Sequence, residues 1–313
     1  MIDLNILVTG GAGFIGSHIV DLLVQQGHQV FVVDNLSTGD PGNLNPNCTF
    51  YEADISKLPD LQHVFSLHPI DVVYHHAAQI HVQDSIKYPT FDAMTNIIGT
   101  INILECMKTY KASKIVYASS AAVYGTPHYL PINENHPVSP ESCYGISKFT
   151  PEHYIKMYAN LYEIDYTIFR YSNVYGPRQS SIGEGGVISI FLDKVLEQLT
   201  PTVYGDGTQT RDFIFVRDIA AANIAALHRG NGFTLNIGCN TTTSINELVD
   251  YLSQLSKRRI VPHYVAAKPG DILHSSLSNE LAMAVLEWYP RYSLLEGLSE
   301  TFDYLIERVA HPA

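Results

Sequence analysis

Short runs of β-branched and aromatic residues punctuate the first half of the chain: "NILVTG", "QVFVVD", "CTFYEAD", "DVVYHHA", "KIVYASS" and "YTIFRYS". Stretches with helical spacing of apolar positions lie between them, around 15–26, 90–110 and 144–161. Strands alternating with helices predict parallel βαβ units, and so an α/β fold built on a doubly wound parallel sheet. After Tyr171 the pattern changes: Gly and Pro thicken in "NVYGPRQSSIGEGG" and strand signals shorten, marking passage into a second, smaller lobe. The stretch "DFIFVRDIAAANIAALHRGNGFTLNIG" returns to strand, helix, strand, and helices are expected at 244–255 and 294–309. The chain is therefore expected to re-enter the first lobe. One domain would then span 1–172 with about 212–237, and the other 173–211 with 238–313. No internal repeat or low-complexity tract interrupts the pattern.

Composition sharpens this mainly by exclusion. At 313 residues, 46% hydrophobic and 16% charged, the chain has material for two buried cores and no compositional mark of disorder. The formal net charge of −12 disfavours partners that need clustered Lys and Arg, so neither nucleic acid nor an anionic membrane is expected. Any bound phosphate must be held locally. The start "MIDLNILVTGG" has no basic leader and no apolar run reaches spanning length, which makes a cytoplasmic location the default. Cys48, Cys106, Cys143 and Cys239 lack CxxC spacing and read as reduced thiols. The 14 His residues include adjacent His75 and His76 but no grouping with metal-ligand spacing, so no metal is expected.

Chemistry first shows in "VTGGAGFIGSH", where Gly10, Gly13 and Gly16 stand between the first strand and the first helix. Glycines there permit a tight turn and let backbone N–H groups approach a pyrophosphate at the positive end of the helix dipole. Asp34 closes the second strand, 18 residues past Gly16, where a carboxylate can accept from ribose hydroxyls and would repel a 2′-phosphate. NAD is thereby favoured over NADP; the alternative for Asp34 is a strand-end carboxylate capping the turn of "DNLSTG".

Two Tyr-x-x-x-Lys frames occur, "YKASK" and "YGISK". Tyr110 ends one helical pattern and Lys114 starts a strand, so that pair reads as a polar connection. Tyr144 and Lys148 fall at the start of a long helical pattern, where i and i+4 side chains share a face. An ammonium beside a phenol favours the phenolate, so Lys148 is expected to lower the Tyr144 pKa and make it a proton acceptor. The strand "KIVYASSAAVYG" ends in Ser119 and Ser120, at the sheet edge where ligands of such folds bind. Ser120 could hold a reacting oxygen or simply satisfy its own turn.

Taken together, "TGGAGFIG", "DNLSTG", "HHAA", "ASSAAVYG", "YGISK" and "RYSNVYGPRQ" resemble the extended short-chain dehydrogenase/reductase superfamily. "YGDGTQTRDFIFVRDIA" narrows the resemblance to the UDP-glucose 4-epimerases and related nucleotide-sugar 4-epimerases. It runs from about Asn5 to the C-terminal helix, with the motifs in the family's order. It implies a Rossmann-type domain holding NAD, a smaller C-terminal α/β substrate domain closing over a UDP-sugar, and a homodimer. By position, Gly10, Gly13, Phe14, Ile15 and Gly16 match the pyrophosphate loop, and Asp34, Asn35, Ser37, Thr38 and Gly39 the adenosine-ribose loop. Asp54 and Ile55 match adenine contacts; Ala77, Ala78, Gln79, Asn96 and Tyr171 lie along the cofactor. Ser120, Tyr144 and Lys148 match the catalytic triad. For the substrate, Asn173 and Arg211 match groups on the UDP diphosphate, and Tyr204 lies near the uracil. Arg211 could instead pair with Asp206 or Asp212. The dimer contact would use the helices at 90–110 and 144–161, although Ile97, Ile101, Leu104 and Met157 could equally face their own sheet.

Three departures from the family pattern bear on specificity. Lys268, in "AAKPGD", stands where many relatives have Arg, exchanging a bidentate grip on phosphate for a point charge. Ile80 replaces a Lys that some members place near the cofactor. Counting from Asp271, also matched to the substrate side, Ser275 falls where some members have a bulky Tyr, leaving room for a 2-acetamido group. A dehydratase on this scaffold would follow its Ser or Thr with Asp-Glu, whereas Ala121 and Ala122 follow Ser120. A decarboxylase or uronate epimerase, and a non-catalytic NAD-sensing protein, are the remaining alternatives.

Overall fold

The computed structural model describes residues 3–181, 186–267 and 272–310. The chain begins β1 (Asn5–Thr9), α1 (Phe14–Gln25), β2 (Gln29–Asp34), β3 (Thr49–Glu52), α2 (Leu58–Leu67) and β4 (Val72–His75). It continues α3 (Val82–Lys87), α4 (Pro89–Ala93), α5 (Gly99–Tyr110), β5 (Lys114–Ser120), α6 (Cys143–Tyr162) and β6 (Asp165–Tyr171). Then come β7 (Asn173–Tyr175), α7 (Val187–Leu196), β8 (Thr202–Tyr204), β9 (Thr210–Arg211), β10 (Phe213–Phe215) and α8 (Val216–Ala226). The chain ends β11 (Phe233–Ile237), β12 (Thr243–Ser244), α9 (Ile245–Ser256), β13 (His263–Val265), α10 (Glu280–Leu286) and α11 (Leu294–Ala310).

Seven strands form one sheet in the order β11-β6-β5-β4-β1-β2-β3, each pair parallel. The two-residue side-chain period of a strand divides its residues between two cores. Ile6 and Val8 of β1 pack with Ile19 and Leu23 of α1 and Ile219 of α8. Leu7 packs on the other face with Val64 of α2, Leu104 of α5 and Ile155 of α6. A third cluster joins Phe213 and Phe215 to α7, α9 and Leu298 of α11. After β7–β10 the chain returns to the large sheet, because β11 pairs with β6; β10 instead pairs with β7 in a separate two-stranded sheet.

The strand order reverses between β1 and β4, so the connections after these strands diverge and open a crevice at the carboxyl edge of the sheet.

The helix expected over 90–110 is divided. α4 passes into a π-helical turn at Met94–Ile98 before α5 begins. This wider turn holds Asn96, whose Oδ1 accepts the Gln79 N–H at 2.8 Å and whose Nδ2 donates to the Gln79 carbonyl at 2.9 Å. A π turn at a ligand-facing loop is a recurring arrangement. "YKASK" spans a helix end and a strand start: Lys111 is left-handed, and Lys114 is a buried cation that donates to the Ala226 carbonyl and to Asn231 Oδ1. Among the proposed dimer-face residues, Leu104 is fully buried in its own core and leaves that face, while Met157 is exposed.

Candidate active site

The crevice is a cleft of about 410 Å³ running from the turn after β1 to the end of β5 and the first turn of α6. Its floor needs glycine. Gly10 has φ +72°, and a Cβ there would lie 2.6 Å from the Ala77 backbone nitrogen; at Gly16 a Cβ would meet the Gly10 carbonyl oxygen at 2.2 Å. Gly13 is the N-cap of α1 and provides no side-chain cap, and the first turn carries no acidic residue. The free N–H groups and positive dipole end of α1 therefore face the glycine turn.

All but two of the residues matched to the cofactor line this cleft. Gly39 sits behind Asp34, where a Cβ would come 2.8 Å from Asp34 Oδ1. Asn96 lies one layer deeper, 2% exposed, shaping the Gln79 turn and donating to Ser147 Oγ at 2.9 Å. Asp34 caps its turn through bonds from Ala12 N–H (3.1 Å) and Leu36 N–H (2.9 Å), so the turn-capping alternative holds alongside its place in the cleft wall. Burial pushes the Asp34 carboxyl up, against those two bonds. Burial also acts to raise Asp54, but hydrogen bonds from Ser56 and Asn35 outweigh it and hold the carboxyl below its ordinary value. Ile80, also on the cleft wall, is 55% exposed and offers no cation.

At the inner end, Ser142 caps α6 by accepting the Gly145 N–H at 3.0 Å, which fixes the first turn and with it Tyr144. The Ser120 hydroxyl accepts the Ala122 N–H at 3.2 Å, so it satisfies its own turn at the end of β5. Lys148 is 4% exposed with its Nζ 4.8 Å from the centre of the Tyr117 ring. The expected depression of Tyr144 is not what the protein alone produces. Burial raises the Tyr144 phenol, Ser120 opposes this, and the charge of Asp92 adds to the rise. Burial brings Lys148 down to about 8, with Asp92 and Glu152 resisting. A low-dielectric pocket penalises both charged forms, and i,i+4 proximity does not reverse that.

Three residues that the sequence left unassigned lie at or behind the inner wall. His76 follows β4; its Nε2 lies 3.1 Å from the Tyr171 hydroxyl, which also receives Asn223 Nδ2 at 2.8 Å. Burial takes His76 down to about 3, so it is neutral. Glu152, fully buried one turn beyond Lys148, receives Arg170 through Nε (3.0 Å) and Nη2 (2.6 Å), and the Ser119 hydroxyl at 2.6 Å. His76 lay inside the "HHAA" signal, whereas Glu152 and Arg170 are 18 positions apart on different elements, with no local pattern to connect them.

Of the residues matched to the substrate, Asn173, Tyr204, Arg211 and Ser275 lie outside the cleft lining. The Asn173 N–H donates to the Asp212 carbonyl at 3.0 Å, the Ser275 N–H to the Thr210 carbonyl at 3.2 Å, and Gln209 Nε2 to the Tyr204 carbonyl at 2.7 Å. Arg211 Nη1 donates to the carbonyls of Thr210 (2.9 Å) and Leu273 (3.4 Å). The carboxylate of Asp206 receives Thr208, and that of Asp212 receives backbone N–H groups. Lys268 and Asp271 lie outside the described residues. No group of three or more His, Cys, Asp or Glu side chains able to hold a metal occurs among the described residues. Nor, among them, is any helix long and apolar enough to cross a membrane.

The wall fits a dinucleotide. It offers a helix N-terminus over a glycine turn, a strand-end carboxylate, and two buried polar atoms without protein partners, His76 Nδ1 and Gln79 Oε1. Fold and cleft place the chain among the enzymes that hold a nucleotide cofactor on a Rossmann-type sheet. Residues 6–238 match the NAD dependent epimerase/dehydratase family, and the chain belongs to that family, with NAD as its cofactor.

A curated relative from Methanocaldococcus jannaschii, provisionally named UDP-glucose 4-epimerase, is 48% identical over 301 residues, 96% of this chain and 98% of its own. The UDP-glucose 4-epimerase of Thermotoga maritima, solved with UDP-glucose, is 40% identical with a TM-score of 0.96, covering 98% of this chain and 100% of that one. The UDP-N-acetylglucosamine 4-epimerase of Methanobrevibacter ruminantium, in complex with UDP-N-acetylmuramic acid, is 35% identical with a TM-score of 0.93. It covers 98% of this chain and 100% of that one.

Proposed function

We propose that this enzyme interconverts C4 epimers of UDP-hexoses, UDP-glucose with UDP-galactose, through a transient 4-keto sugar. The observation that carries this reading is the placement of Tyr144 and Lys148, at i and i+4 on α6, together on the cleft wall beside the end of β5. The names of the similar enzymes from M. jannaschii and T. maritima support it.

NAD, when bound, supplies a cationic nicotinamide that can take a hydride from the sugar C4 and return it to either face. The phosphate and ribose sides would be held by the Gly10–Gly16 turn and Asp34. Tyr144 Oη accepts the proton of the 4-hydroxyl and later returns it, while Ser120 Oγ holds that oxygen in register. Lys148, as an ammonium, favours the phenolate during that transfer. Asn173, Arg211 and Tyr204, with Lys268 and Asp271, anchor UDP while the keto sugar turns over. Two lobes divide the work: 1–172 with about 212–237 holds the cofactor, and the remainder the nucleotide-sugar.

The small side chain of Ser275 extends the substrate range to UDP-N-acetylglucosamine, in keeping with the named substrate of the M. ruminantium relative. The chain pairs as a homodimer through exposed apolar residues Met94 and Ile98 beside α5 and Met157 and Leu161 on α6; a monomer in light scattering at micromolar concentration would count against that. A panel of UDP-glucose, UDP-galactose, their N-acetylated forms and UDP-glucuronate tests the whole reading. Interconversion of both neutral pairs supports it, turnover of the uronate alone replaces it with a uronate epimerase, and no turnover at all leaves a cofactor-binding protein.

A further inference from the structure

Asp212 directly follows Arg211, and the two point differently: Arg211 is half-buried, whereas Asp212 is 1% exposed. The Asp212 carboxylate is divided between two chain segments. Oδ1 accepts the Cys239 N–H at 2.9 Å, from the turn after β11. Oδ2 accepts the Leu277 N–H at 3.2 Å, from the strap 272–279. The backbone carbonyl of Asp212 takes the Asn173 N–H at 3.0 Å. Gly238 leaves room for this arrangement, since a Cβ there would stand 2.5 Å from Asp212 Oδ2.

The strap is held at two other points. Its Leu273 carbonyl and Ser275 N–H bond Thr210, at 2.8 and 3.2 Å, and its Ser276 carbonyl and Ser278 N–H bond Ile132, at 2.8 and 2.7 Å. Ile132 lies in the connection between Ser120 and Tyr144. Asp212 is the point where this strap, the β11 turn and the start of β7 meet. Only an acceptor-only group can take N–H bonds from both segments with both oxygens; an amide in its place would present an NH₂ to one of the donors.

We propose that Asp212 is a positioning residue for the nucleotide-sugar: its carboxylate fixes the strap carrying Ser275 in register with Arg211 and Asn173, joining the sugar side of the site to the phosphate side. This rests on the UDP-sugar reading given above. Burial pushes the carboxyl up to about 6, against the N–H bonds it accepts, so at neutral pH its charged form prevails and holds both segments.

The test uses the NAD-loaded full chain and its Asp212→Asn variant, with UDP titrated calorimetrically, steady-state kinetics on UDP-glucose, and hydrogen exchange over 272–279. Losing a bond to a buried charged acceptor is expected to weaken UDP binding and raise KM about tenfold. The kcat effect should be much smaller, NAD content unaltered, and exchange faster at Leu277. Gly238→Ala, which presses a methyl against Oδ2, should reproduce the KM-weighted loss in milder form and serves if Asp212→Asn does not fold. Unaltered UDP affinity in a folded variant, or a loss carried equally by kcat and NAD content, overturns the proposal. Failure of the parent chain to bind UDP would instead overturn the substrate reading on which it rests.

Discussion

The buried pair of Glu152 and Arg170 beneath the site makes an asymmetric stability prediction. Glu152 is fully buried and accepts two bonds from the guanidinium and one from Ser119, while Arg170 Nη1 also donates to the Tyr124 hydroxyl at 2.9 Å. Breaking such a pair from one side strands a charge, at about 3–5 kcal/mol. The two sides differ in whether the stranded group can discharge. In Arg170→Met the carboxylate escapes by taking a proton. From an ordinary glutamate pKa of about 4.3 that costs about 3.7 kcal/mol at pH 7 but only about 1 kcal/mol at pH 5. In Glu152→Gln the guanidinium cannot discharge, so the cost persists across that range.

The sign follows from linkage. In Arg170→Met the folded-state carboxyl pKa lies above its unfolded value, so stability is lost as pH rises between the two, and the deficit is largest at neutral pH. Urea unfolding at pH 5 and pH 7, followed by the single tryptophan Trp288, which is buried at the α8 side, reads this directly. Expected are a loss of about 3–4 kcal/mol at pH 7 shrinking towards about 1–2 kcal/mol at pH 5 for Arg170→Met, and a pH-insensitive loss for Glu152→Gln. The double variant should lose less than the sum of the two. Equal, pH-independent losses in the two single variants, or losses under about 1 kcal/mol as for an exposed pair, would refute the reasoning.

Further outcomes concern the chemistry. Tyr144→Phe should lower kcat by at least about a hundredfold while the protein still retains NAD and binds UDP, and a near-normal rate would remove Tyr144 from its role. Lys148→Met should move the rising limb of the pH–rate profile to higher pH, because it deletes the charge that favours the phenolate; an unmoved limb would mean that Lys148 holds ligand rather than tuning the phenol. Ser275→Tyr should reduce kcat/KM for UDP-N-acetylglucosamine much more than for UDP-glucose, and equal losses would show that position 275 does not face the 2-substituent.

The parallel sheet was legible because most of its strands are short runs rich in β-branched and aromatic residues with helical patterns between them. Short elements were not. α2 buries only Leu61, Val64 and Phe65, and the strands of the small sheets are two or three residues long, too short for any period to register. The π turn at Met94–Ile98 leaves the apolar spacing of a helix almost unchanged, so one helix was read where the structure has two and a wide turn. The cofactor cleft was readable for a different reason. A backbone cradle demands glycine, and glycine is visible in a sequence, whereas the carboxylates that brace the site act across distances in the chain that no motif spans.

The Tyr144–Lys148 pair marks the limit of such reading. Spacing along a helix states which groups are neighbours but not how much water surrounds them. Burial raises the phenol and lowers the ammonium to about 8, so the solitary protein favours a neutral Tyr144 and a lysine that is still largely charged at neutral pH. The two carboxylates nearby pull in opposite directions on the task. Both keep Lys148 protonated, yet Asp92 also makes the phenolate harder to form. Glu152 does not share that defect: Arg170 binds both of its oxygens and the Ser119 hydroxyl donates to one of them. A site arranged in this way rests as a phenol and acquires its basic form only with added positive charge or at higher pH.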